Sequence, residues 1–145
     1  MMKKVFFALV MLLSLPGVVA QDSTVTKPAD FFGFEPGSDR NLFTYEQLIK
    51  YLQKLDVESD RIYLEEIGKS PMNRPMYIAF ISSGENISRL EEYKKINREL
   101  ALNPGLEQDE LQGMIDTGKV FVLATLSMHS SEVAPSQAAP LIAWD

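Results

Sequence analysis

The chain has 145 residues, of which 46% are hydrophobic and 23% charged, the make-up of one ordinary globular domain rather than of a disordered or repeat protein. Its net charge of −6 and lack of clustered Lys or Arg exclude a phosphate-reading, nucleic-acid surface. Cysteine is absent, so there is no disulfide framework, no thiolate metal ligand and no cysteine to carry a lipid.

The opening stretch, "MMKKVFFALVMLLSLPGVVA", places Lys3 and Lys4 before an apolar run from Val5 to Leu15, followed by Pro16, Gly17 and small residues up to Ala20. This is the plan of a secretory signal peptide over residues 1–20, with cleavage after Ala20. The alternative, a membrane anchor, needs about 20 apolar residues, and the run has 11. Export to the periplasm or the cell exterior is therefore expected, with no stable membrane anchor after cleavage. Loss of the two lysines takes the net charge to −8.

Residues 21–42 mix Pro, Gly, Asp and Ser with Phe31, Phe32 and Phe34 and show no helical or strand period. They read as an arm that lays its aromatics on the domain of residues 43–145. In "TYEQLIKYLQKLD", Thr44 and Gln47 have capping-box spacing, and Tyr45, Leu48, Ile49, Leu52 and Leu55 recur at helical intervals, which predicts a helix over 45–56. "RIYLEEIG" and "PMYIAFIS" are strand-like runs on either side of the turn formers in "KSPMNR", and are expected to pair as an antiparallel hairpin. "ENISRLEEYKKINRELALNPG" predicts one amphipathic helix stopped at Asn103-Pro104, and "EQDELQGMIDTG" a shorter one ended by Gly118.

"KVFVLATLS" is almost unbroken in its apolar character, as a strand buried on both faces of a sheet would be. "VAPSQAAPLIAWD" begins a helix in which Pro135 suits the first turn, while Pro140 is expected to kink or delay it. Between these segments stands His129, the sole histidine, with Glu132 three residues on. Imidazole nitrogen and carboxylate oxygen are zinc donors, and ligands bind at the carboxyl ends of strands in open α/β sheets. With 12 glutamates in the chain, this spacing alone arises about one time in twelve, so it is weak by itself. The H-x-x-E-H pattern is excluded by Val133, and a helical E-x-x-H motif has the opposite order.

The surrounding order is more specific. "IGKSPMNRPMYIAFIS" followed by "KVFVLATLSMHSSEVAPSQAAPLIAWD" resembles the carboxypeptidase A-like zinc carboxypeptidases. In that family a G-K-S-x-x-x-R-P segment and a strand precede a second apolar strand, which leads into H-x-x-E and a helix. The resemblance covers residues 43–145. It implies the front part of a three-layer α/β/α fold with a mixed sheet, an antiparallel hairpin followed by a central buried strand. It also implies His129 and Glu132 as two ligands of Zn, and release of C-terminal residues from peptide or protein substrates.

The chain departs from that pattern in three ways. Ser131 stands where digestive members often carry Arg. Residues 84–118 form a helical insertion where many members have a short loop. The family's second histidine ligand, its glutamate base and its carboxylate-binding arginines follow the H-x-x-E helix and are not among these residues. No catalytic residue is thus assigned within the chain, which is expected to be a truncated front portion, inactive alone. Two other readings share these features: a zinc amidohydrolase of the aspartoacylase and desuccinylase type, and a non-catalytic exported binding module.

Overall fold

The computed structural model describes residues 25–129 and 131–145. The expected signal peptide of residues 1–20 lies outside the described residues, as does the start of the arm. Among the described residues, no helix is long and apolar enough to cross a membrane.

The arm contains a helix that its sequence did not announce, α1 (Pro28–Phe32). Pro28 starts it, where a missing N–H costs nothing, and Gly33 ends it in the left-handed region at φ 77°, donating to the Ala29 carbonyl at 2.9 Å. A five-residue helix is too short to display a period. It turns Phe31 and Phe32 onto Tyr51, with ring centroids 5.2 and 5.3 Å away, and Phe32 stacks on Phe43 at 4.4 Å.

Helix α2 (Tyr45–Glu58) opens with the expected reciprocal cap. Gln47 N–H donates to Thr44 Oγ1 at 3.3 Å, and Thr44 N–H donates to Gln47 Oε1 at 2.8 Å. Its inner face buries Tyr51, Leu52 and Leu55, which form the core with Ile62. The strands β1 (Ile62–Lys69) and β2 (Pro75–Ile81) pair antiparallel, from Ile62 opposite Ile81 to Lys69 opposite Pro75. Ile67 has no partner in this register, a bulge made possible by Gly68 at φ 127°. The register puts Leu64 and Ala79 against α2. Tyr63 and Phe80 point to the opposite face, their rings 6.4 Å apart.

The long helix expected after the hairpin is broken at Arg89 into α3 (Gly84–Ser88) and α4 (Leu90–Leu102). Ser83 caps the start of α3, its Oγ accepting from Asn86 N–H at 3.3 Å, and next to the break Ser88 Oγ–H donates to the Glu85 carbonyl at 2.7 Å, a local bond that competes with the helix backbone. From α4, Lys94 reaches Glu65 of β1 at 2.6 Å and lies 4.7 Å from the Phe80 ring centroid. Helix α5 (Gln108–Thr117) follows, ended at Gly118.

Residues 119–127, expected as a buried central strand, join no ladder, and the sheet has two strands, β1 and β2. Val120 is 89% and Val122 90% exposed. A β-prone composition does not make a strand without a neighbour to pair its backbone. The run is tethered by Asn97 Nδ2–H donating to the Lys119 carbonyl at 2.8 Å, by Lys119 Nζ 6.0 Å from the Tyr93 ring centroid and by Phe121 edge-on to Phe80 at 6.2 Å. The general class is thus mixed α and β, helices around an antiparallel hairpin.

Helix α6 (Val133–Trp144) runs through Pro140 rather than being delayed by it. The ring is fully buried, so packing outweighs the lost amide. One turn earlier, buried Gln137 donates from Nε2 to the Phe43 carbonyl at 3.2 Å and accepts the Phe43 N–H on Oε1 at 3.3 Å. This pairing fixes α6 beside the start of α2.

Two outcomes are expected. Leu55→Ala, at the centre of the core, should lower the unfolding free energy by about 2–5 kcal/mol in urea titration, and a loss below half that range would show a core that collapses around the gap. Glu58 accepts from Lys54 at 2.6 Å and from the Thr26 N–H and hydroxyl, each at 2.9 Å. The Lys54 bond, then the Thr26 bonds, hold its pKa below the ordinary carboxylate value against the opposing effect of burial. A lowered native pKa stabilises the fold above the unfolded value of about 4.3, and that stability is lost as pH falls through the native value. Glu58→Gln should therefore be less stable than the parent at pH 7, with the gap closing under acid. A gap that stays constant down to pH 3 would contradict this linkage.

Candidate metal centre

The chain reaches His129 through Ser127, whose φ of 81° lies in the left-handed region. A tight turn follows, closed by the Glu132 N–H donating to the His129 carbonyl at 3.0 Å. Glu132 is the N-cap of α6, yet its carboxylate meets no helix amide. The usual N3 donor is missing because that position is Pro135. The carboxylate turns instead to the imidazole, with Oε1 2.9 Å from His129 Nδ1. An ionised carboxylate only accepts, so this pairing selects the tautomer with the proton on Nδ1.

The two residues singled out by their spacing are therefore side by side at the start of α6. They do not sit at the carboxyl end of a strand, because residues 119–127 form none. Both are open to solvent, with side chains 69% and 54% exposed.

Two donors on one zinc ion, at bond lengths of about 2.0–2.2 Å and tetrahedral angles, stand about 3.3 Å apart. His129 Nδ1 and Glu132 Oε1 need open only slightly to fit that span, and Nδ1 becomes a ligand once it gives up the proton it shares with the carboxylate, leaving the ring N–H on Nε2. The pair thus suits a metal as two of its ligands. Among the described residues no three His, Cys, Asp or Glu gather where they could hold one ion. Composition adds a stricter limit, since with one histidine and no cysteine the chain cannot itself complete a His₂Glu set.

Away from the pair, a shallow groove of 220 Å³ lies between α2 and the hairpin turn and is lined by Tyr45, Ile49, Lys50, Arg74, Pro75 and Tyr77. Tyr45 Oη–H donates to the Pro75 carbonyl at 2.8 Å, and Glu46 is held by Arg74 at 3.4 Å. Tyr45, Glu46 and Arg74 are thus already paired within the groove, and it brings together no histidine or pair of close carboxylates. Sequence reading missed both this groove and the turn at Ser127. A left-handed serine leaves no mark in composition, and the groove joins residues far apart in the chain.

No protein-family model matches the chain, and no curated protein and no solved structure is significantly similar to it.

The pair's metal chemistry is testable directly. Titration with Co²⁺, a spectroscopic stand-in for zinc, should show weak 1:1 binding. Since losing even an outer partner of a ligand commonly costs tenfold or more, His129→Ala and Glu132→Ala should each weaken binding by at least about tenfold. Equal affinity in the parent and both variants would remove the pair from consideration as a metal site.

Proposed function

We propose that this chain is the front part of an exported zinc carboxypeptidase domain of α/β/α type, in which His129 and Glu132 are two protein ligands of a catalytic Zn²⁺. The observation that carries the reading is the approach of His129 Nδ1 to Glu132 Oε1 at 2.9 Å, at the start of a helix. The order of hairpin, apolar run, H-x-x-E and helix supports it. When bound, zinc supplies Lewis-acid polarisation of a scissile carbonyl and acidification of a bound water.

The chain's own residues do narrower work. In the metal-free chain Glu132 holds the imidazole in one orientation, a bond that an ion between the two side chains would replace, and the bonds around the His129 carbonyl fix the backbone that carries it. The exposure of both side chains leaves room for a further ligand and for a peptide C-terminus. Acid–base transfer and capture of the substrate carboxylate belong, on this reading, to residues C-terminal to α6, so residues 21–145 alone are inactive.

The lack of a third ligand among the described residues favours one further reading, a non-catalytic exported binding module that keeps the pair without the chemistry. The amidohydrolase reading shares the pair and differs in substrate. All three are separated by offering blocked peptides and N-acyl amino acids, with added zinc, to residues 21–145 and to any in-frame extension that brings a histidine and a glutamate. The expected result is no turnover by residues 21–145 and release of C-terminal residues by the longer chain, reduced to background by His129→Ala. Zinc-dependent turnover by residues 21–145 that His129→Ala abolishes would mean that a carboxylate or a second copy completes the site. Cleavage of N-acyl amino acids alone would favour the amidohydrolase.

A further inference from the structure

His129 is an exposed side chain with little packing to hold its ring, and yet it meets Glu132 at hydrogen-bond distance. What fixes it lies in the backbone. The His129 carbonyl accepts two bonds, from the Ser127 hydroxyl at 3.2 Å and from the Glu132 N–H at 3.0 Å. One oxygen thus gathers the residue that ends the apolar run and the residue that caps α6. Ser127 donates this bond from φ 81°, a conformation that L side chains other than Asn and Asp rarely hold unless their surroundings impose it. The left-handed turn and the hydroxyl bond thus coincide at one residue.

We propose that Ser127 is a positioning residue for the His129–Glu132 pair, its left-handed backbone and hydroxyl setting the His129 carbonyl so that the imidazole falls against the carboxylate. Its consequence for metal binding rests on the proposed zinc role of the pair, but its consequence for the imidazole does not. A turn that keeps the two groups close reduces the side-chain freedom lost when an ion replaces the Nδ1 proton between them, so weakening the turn weakens the site without touching a ligand.

The test uses the parent chain with Ser127→Ala, which removes the hydroxyl, Ser127→Asn, which tolerates the left-handed region and restores a side-chain donor, and His129→Ala. Two readouts are needed: Co²⁺ affinity, and the His129 tautomer in the metal-free protein from long-range proton–nitrogen NMR correlations. Ser127→Ala should bind Co²⁺ about fivefold more weakly and lose the bias towards the Nδ1–H form, with its urea midpoint unchanged. Ser127→Asn should recover most of both. If Ser127→Ala matches the parent in affinity and tautomer while His129→Ala loses the metal, the inference is overturned and the zinc reading stands. If the parent and His129→Ala bind Co²⁺ equally, the zinc reading falls and the tautomer decides: a bias lost in Ser127→Ala upholds the positioning role, and a bias unchanged rejects it.

Discussion

The inner face of α2 is the surface on which the other elements are assembled. Tyr51 and Leu55 are fully buried there, one helical turn apart, and each such side chain is worth about 1.5–3 kcal/mol when removed from water. From one side Phe31 and Phe32 of α1 press on Tyr51, and from another Ile62, Leu64 and Ala79 of the hairpin close over Leu52 and Leu55. Burying a tyrosine so completely requires a partner for its hydroxyl, which donates to the Thr26 carbonyl at 2.9 Å. The arm is thus held by a polar bond at the centre of an apolar cluster, and Glu58 repeats the hold on Thr26 at the end of the same helix.

That arrangement also places the candidate site. Helix α6 returns to α2 through buried Pro140 and the two-bond clasp of Gln137 on Phe43, which sets where its first residue, Val133, must stand. Glu132 is therefore delivered by the core although it lies outside it. His129, three residues earlier, has no such anchor and depends on the turn. The pair combines one donor set by a packed helix and one set by local backbone bonds, and the second is the weaker half.

The hairpin limits what the rest of the chain can do. Two antiparallel strands with a bulge near the turn give a narrow sheet, and residues 119–127 pass it with a single aromatic contact, Phe121 on Phe80. Val120, Phe121, Val122 and Leu123 of that run are consecutive exposed apolar residues. Ordinarily such a surface is covered. In this arrangement the His–Glu pair stands at the end of an unpaired, exposed lead rather than at the rim of a sheet.

Local chemistry was enough to read much of this from the residues. The capping box of Thr44 and Gln47, the apolar stripe of α2, the turn in "KSPMNR" and the end of α5 at Gly118 are short-range effects, complete within a few residues, and each could be written down from the sequence. So could the proximity of His129 and Glu132, which one turn of chain enforces. Other features were decided by tertiary structure. Pro140 reads locally as a helix breaker, and its burial against the domain reverses that. The run "VFVLATL" reads as a strand, but pairing is a property of two segments, and no neighbour takes it. Whether two donors become a metal site depends on a third arriving from a distant part of a chain, and residue spacing along one segment carries no information about that distance.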